Sequence, residues 1–271
     1  MKLSTKQAQR PKNKYGEWAL VTGATSGIGR ELATKLAEGG FNVIITGRRK
    51  ALLDELAADL FSSYRSEVLP ITGDLSTPEG VQELIHELDD APVGLAILNA
   101  GFGTSGQFHE SSLEAEVNML RLDCEALMVM THYFSRRFVK EGKGGIVLLS
   151  SMVAFQGVPK AAHYAATKTY VQSFGEAIAR ELKPHGVDVL CAAPGPVESD
   201  FSGRANMRMN GALTPDLVGV PILKAIGKQT NVLPGFMTKF LVYSLRMLPR
   251  WGKIRVLETV MGGFTKHQQV A

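Results

Sequence analysis

The chain has 271 residues, 45% of them apolar and 21% charged, with two cysteines and a formal net charge of +4. That composition belongs to a globular protein with a full core, and it excludes a low-complexity chain or a disulfide scaffold. Cys124 and Cys191 lie far apart without ligand spacing, so no metal site is expected.

Charge is unevenly placed. Residues 1–14 carry five Lys/Arg and no acid, residues 15–200 carry 15 basic against 24 acidic side chains, and residues 201–271 carry 10 against 2. The first segment is short, polar and aperiodic, and is expected to be a disordered basic arm before a single domain over 15–271. It lacks the apolar stretch of a secretory leader, and the chain has no run of about 18 apolar residues, so the expected location is a reducing cytoplasm. No motif or aromatic interleaving accompanies the basic excess, which argues against a nucleic-acid partner.

Apolar runs and helical periodicities then alternate. Strands are expected at 17–22, 41–46, 67–72, 93–98, 144–150 and 187–192, with helices near 27–38, 49–60, 78–89, 112–139 and 161–183. This pattern predicts an α/β fold: a single-domain, Rossmann-type, doubly wound parallel sheet with helices on both faces and right-handed crossovers. Ligands of such a sheet gather beyond the carboxyl ends of the strands.

The first strand runs into Gly23-Ala24-Thr25-Ser26-Gly27-Ile28-Gly29 and a helix with Ile28, Leu32 and Leu36 on one face. Glycines here permit a tight turn and close approach to a pyrophosphate, which then rests on the helix N-terminal amides. The second strand ends in Gly47-Arg48-Arg49. An acid there would bond the ribose 2′-hydroxyl of NAD(H), whereas a guanidinium pairs with a 2′-phosphate. NADP(H) is therefore expected over NAD(H), with Arg48 ahead of Arg49. The competing reading is that both arginines merely begin the next helix, where positive charge opposes the helix dipole.

After the fifth strand come Ser150-Ser151-Met152, and later Tyr164-Ala165-Ala166-Thr167-Lys168. Tyr164 and Lys168, four apart among helix formers, share one helical face. A phenol titrates near ~10, and an ammonium beside it lowers that value toward the working pH of a catalytic acid. Ser151, at a strand end facing that helix, would hydrogen-bond a substrate oxygen. Alone, the Tyr-x-x-x-Lys pair is also what an exposed helix face would show.

Taken in register, Thr-Gly-x-x-x-Gly-x-Gly at 22–29, Asn99-Ala100-Gly101, Ser151, Tyr164-x-x-x-Lys168 and Pro194-Gly195 resemble the short-chain dehydrogenase/reductase (SDR) family over about residues 17–201. The resemblance implies hydride transfer between a nicotinamide and a carbonyl or alcohol. Tyr164 would be the acid, Lys168 would tune it and orient the ribose, and Ser151 would position the oxygen. It also implies cofactor contacts from Gly23, Thr25, Ser26, Gly27, Ile28 and Gly29, from Asp74 and Leu75 at the adenine, and from Asn99, Ala100 and Gly101 at its ribose. Pro194, Gly195, Val197 and Ser199 would lie beside the nicotinamide, with Ser199 where the family usually has Thr.

One position departs from the family. Where a helix commonly supplies an Asn that holds a water in the proton relay, aligning 120–127 places Asp123. An ionised aspartate accepts but cannot donate a hydrogen bond, and its charge opposes the effect of Lys168 on Tyr164. A purely structural aspartate fits the sequence equally well.

The loop 153–163 and residues 199–250, with Phe155, Phe201 and several methionines, are expected to form the substrate pocket or its lid, for an apolar or acyl- or lipid-derived carbonyl or alcohol. Within it, Phe236, Phe240, Leu241, Leu245 and Leu248 recur at helical spacing beside Lys239, Arg246 and Arg250. This reads as a surface helix in weak contact with anionic lipid, a lid, or core packing with a solvated face. The resemblance implies a homodimer or homotetramer built on 112–139 and 161–183, and a seventh strand near 231–234. Two rivals stand beside the oxidoreductase: a non-catalytic NADP(H)-binding redox sensor or scaffold, favoured by Asp123 alone, and a sugar-nucleotide epimerase or dehydratase. The latter shares Tyr-x-x-x-Lys but needs a larger C-terminal substrate domain than 201–271 supplies.

Overall fold

The computed structural model describes residues 5–209 and 211–270. Its strands are short: β1 (Trp18–Thr22), β2 (Asn42–Gly47), β3 (Val68–Thr72), β4 (Val93–Leu98), β5 (Gly144–Leu149), β6 (Val187–Ala192) and β7 (Asn231–Val232), of which β1, β2, β4, β5 and β6 are apolar and buried along most of their length while the edge strands β3 and β7 are partly exposed. All pair in parallel, in the order β3-β2-β1-β4-β5-β6-β7. Each β1 residue from Trp18 to Thr22 stands opposite its partner from Asn42 to Thr46. The order reverses direction between β1 and β4, which opens a crevice at their carboxyl ends.

Strand periodicity divides the apolar residues between two cores. Ala19, Val21, Val43 and Ile45 face one side, under α2 (Gly27–Glu38), α3 (Lys50–Tyr64) and α9 (Pro215–Ala225), which supply Leu32, Leu56 and Ile222. Leu20 and Ile44 face the other, under α4 (Pro78–Leu88), α6 (Leu127–Glu141) and α7 (Ala162–Leu182), which supply Leu84, Phe134 and Val171. A third cluster, with Val158, Leu245, Leu257 and Met261, joins the loop after β5 to α10 (Phe236–Arg246) and α11 (Arg250–Phe264).

Two expectations are corrected. The basic arm is not disordered over its described part: α1 (Thr5–Tyr15) is a helix, and residues 1–4 lie outside the described residues. Its cause is a set of tertiary partners that no local pattern reveals. The Arg10 guanidinium donates to the carbonyls of Lys224 and Ile226 at 3.1 and 2.8 Å, and the buried Tyr15 hydroxyl donates to Asp188 at 2.6 Å beside the Lys14–Asp188 ion pair. The helix expected over 112–139 is split into α5 (Leu113–Leu120) and α6 by a π-helical turn, Arg121–Ala126, centred near Asp123. The C-terminal segment, for which the sequence leaves surface helix, lid and core packing all open, forms two helices joined by a short turn; Leu241 and Leu245 face inward, whereas Phe236, Phe240 and, in the turn, Leu248 are exposed.

Candidate active site

A cleft of 570 Å³ runs along the carboxyl ends of the strands. Every residue expected at the cofactor or in catalysis lines it except Asp123, which lies behind Lys168.

At the β1–α2 turn, the backbone at Gly27 has φ +56°, and a Cβ there would lie 2.7 Å from Cβ of Ser199. A Cβ on Gly29 would sit 2.3 Å from the Gly23 carbonyl oxygen, so the turn closes only with hydrogen at that position. The Asn99 amide donates to the carbonyls of Thr22 and Gly23, and the Thr22 hydroxyl accepts from the backbone N–H groups of Asn99 and Ala100. These bonds lock β4 to β1, and Ser26 with the first residues of α2, Gly27, Ile28 and Gly29, lines the cleft, where a helix N-terminus suits a dinucleotide diphosphate.

Beyond β2, three guanidiniums converge. Arg49 donates to the Thr25 hydroxyl and to Asp200, both at 2.8 Å, while Arg48 is more exposed and 3.7 Å from Asp74. Arg204, on the short helix α8 (Asp200–Arg204), joins them in the cleft lining. Burial, and then repulsion from Arg49 and Arg48, lower the Arg204 pKa from its ordinary value. Burial alone would raise Asp74, but the Ser76 N–H and hydroxyl and the Arg48 charge outweigh it and keep the carboxylate below its usual range. Three cations against two carboxylates leave an excess of positive charge at this end of the cleft. Sequence patterns missed Arg204 because chain folding, not a motif, brings it beside β2.

At the other end, Ser151 caps the turn Met152–Phe155 after β5, its hydroxyl accepting from the Val153 N–H at 3.4 Å. Across from it, α7 presents Tyr164 and Lys168, with the ammonium 5.7 Å from the phenol ring centroid. Lys168 is buried and donates to Asp123 at 3.0 Å and to the Leu149 carbonyl at 3.2 Å, so one of its three N–H groups remains. Asp123 is fully buried and accepts from the Phe102 N–H at 3.0 Å and the Thr167 hydroxyl at 3.4 Å. A Cβ on Gly101 would lie 2.9 Å from the carboxylate and 3.2 Å from the ammonium, so glycine lets this pair reach the crevice floor.

The electrostatics differ from the simple tyrosine–lysine expectation. Burial raises the Tyr164 pKa; Lys168 lowers it, Asp123 raises it again, the Ser151 hydroxyl lowers it, and the net shift is upward. Burial works against the Lys168 charge, but Asp123 and Tyr164 outweigh it and hold the ammonium protonated above its usual range. Burial likewise lifts the Asp123 carboxyl, opposed by Lys168, Phe102 and Thr167. Tyr164 is thus a protonated donor at neutral pH.

The remaining wall is apolar. Val158, Phe201, Met207 and Leu241 lie within the expected loops, but Leu257, Val260, Met261 and Phe264 extend the pocket beyond residue 250. Their spacing along α11 is that of one helix face, and was the available sequence signal.

Residues 17–210 match the sequence profile of the family described as short chain dehydrogenase. The chain is 28% identical to a 7beta-hydroxysteroid dehydrogenase of Collinsella aerofaciens, over 84% of this chain and 89% of that protein. It is 34% identical to a 3-oxoacyl-[acyl-carrier-protein] reductase of Aquifex aeolicus, over 69% of this chain and 76% of that protein. It is also similar in structure to a short-chain dehydrogenase from Sphingobium yanoikuyae in complex with NADPH: TM-score 0.79 and 28% identity, covering 84% of this chain and 92% of that one.

Proposed function

This chain belongs to the short-chain dehydrogenase family, and from that membership we propose an NADP(H)-dependent oxidoreductase that reduces a bulky apolar carbonyl to the alcohol. One observation carries the reading: a single cleft has a glycine cradle and three guanidiniums at one end and Ser151, Tyr164 and Lys168 at the other. A nicotinamide dinucleotide, when bound, supplies the hydride. The Ser151 and Tyr164 hydroxyls hold the carbonyl oxygen, and the Tyr164 phenol gives it a proton as negative charge develops there. Lys168 stabilises the phenolate left behind. The protonated phenol is the form that gives the proton in reduction, whereas oxidation needs the phenolate first.

The apolar wall from Phe201 to Phe264 suits a hydrophobic body attached to the carbonyl, in keeping with relatives named for a hydroxysteroid and a 3-oxoacyl chain. Incubation with NADPH and a panel of oxosteroids, 3-oxoacyl thioesters and bulky ketones tests this. Tight NADPH binding with no oxidation by any of them would instead favour a sensor.

Preference for the 2′-phosphate rests on Arg48 and Arg204. Arg48→Ala is expected to raise KM for NADPH about tenfold, the loss of one charge-assisted hydrogen bond, and to leave KM for NADH unchanged. Equal effects on both cofactors would remove Arg48 from that role.

Asp123→Asn removes a charge that raises both Tyr164 and Lys168. Reduction needs the protonated phenol, so its rate is full below the phenol pKa and falls as pH rises through it. The alkaline limb of the kcat profile is therefore expected to move to lower pH in the variant; superimposable profiles would show Asp123 to be structural.

We further propose a homodimer or homotetramer on α5, α6 and α7, whose exposed Leu113, Leu120, Met128 and Tyr170 suit a second copy. Sedimentation equilibrium measures the state directly.

A further inference from the structure

The helix α10 is apolar on two opposite faces. Thr238, Leu241, Val242 and Leu245 pack inward, whereas Phe236, Phe240, Tyr243 and Met247 recur at i, i+4, i+7 and i+11 on the outside, and Trp251 follows on α11. The outer residues are 79%, 58%, 54%, 86% and 70% exposed, in that order. Burial of the inner stripe explains why the helix folds here; it does not explain the outer one, since large apolar side chains aligned in water mark an interaction surface.

Charge identifies the partner. Residues 236–266 contain six Lys/Arg, and Glu258 is their one acid. The Arg246 guanidinium lies 5.0 Å from the Tyr243 ring centroid, which places positive charge beside the aromatic stripe. Lys239, Arg250, Lys253 and Arg255 belong to the same two helices. We infer that the outer face of α10 and the start of α11 dock on a membrane surface bearing anionic lipid, aromatic side chains entering the headgroup boundary and cations meeting the phosphates. The contact is interfacial, because no described helix is long and apolar enough to cross a membrane. A second copy fits this face poorly: pairing it with itself would oppose two sets of these cations with only Glu258 from each chain to offset them.

The same two helices line the cleft from within, through Leu241, Leu257, Met261 and Phe264. The inference stands apart from the reductase reading, because binding is read without cofactor or carbonyl.

The full chain is sedimented with vesicles of phosphatidylcholine alone and of phosphatidylcholine with phosphatidylserine at roughly 7:3. Binding is expected with the mixed vesicles and not with phosphatidylcholine, together with a blue shift of tryptophan emission that Trp251→Ser abolishes. Lys239→Ala with Arg250→Ala is expected to weaken partition roughly 30-fold, at about fivefold per cation. Phe240→Ser with Trp251→Ser should weaken it comparably; both residues are exposed, and unchanged circular dichroism verifies the fold. Absence of binding, or equal binding to both vesicles, overturns the inference. So does dissociation of an oligomer into monomers by the Phe240/Trp251 variant without vesicle binding, which would assign the face to self-association.

Discussion

Tyr164→Phe is expected to lower kcat about 10²–10⁴-fold while leaving the Kd for NADPH within about twofold. The phenylalanine ring keeps the contact with Phe201, whose ring centroid lies 5.4 Å from that of Tyr164, so the pocket wall is preserved and only the hydroxyl is lost. That hydroxyl is the one group in the cleft held protonated beside both an ammonium and a serine. Steady-state reduction together with fluorescence titration of NADPH separates the two quantities. Near-normal turnover in the variant would assign the proton to another group and remove the basis of the reductase reading.

Lys168→Met is expected to abolish turnover and, unlike Tyr164→Phe, to cost about 3–5 kcal/mol of stability. Asp123 is fully buried, and its charge is matched by the Lys168 ammonium at 3.0 Å. Removing the ammonium leaves a buried carboxylate with only the Phe102 N–H and the Thr167 hydroxyl. The linkage has a definite sign. Burial raises the carboxyl in the folded protein, and in the variant the opposing lysine is gone, so its folded pKa exceeds the unfolded one. The variant's stability is then retained below the ordinary carboxylate range and lost as pH rises through the raised pKa. Urea denaturation at acid and neutral pH tests this, and a pH-independent deficit would refute it. Adding Asp123→Asn is expected to restore stability at neutral pH without restoring turnover, because the cation proposed to stabilise the phenolate is still missing.

Much of the site was legible because the chain writes it at strand ends. Gly27 and Gly29, the Asn99 run, Ser151 and the Tyr164–Lys168 pair are local patterns whose geometry follows from one strand, one turn or one helical repeat. A parallel sheet brings such ends to one edge, so their order along the chain predicted their convergence. Arg204 and Asp200 were not legible: they reach Arg48 and Arg49 through a short helix after β6, more than 150 residues away, and no spacing encodes that approach.

The amino-acid order alone determined the alternation of elements, the burial of the central strands and the choice of candidate catalytic side chains, because these depend on propensity, periodicity and short spacings. Tertiary packing decided that residues 5–15 form a helix, since their partners are the carbonyls of Lys224 and Ile226 and the carboxylate of Asp188. It also decided the sign of the Tyr164 shift, because desolvation and a buried Asp123 outweigh a lysine one turn away. Burial and long-range charge are properties of the assembled interior, and they act between residues that the chain keeps far apart.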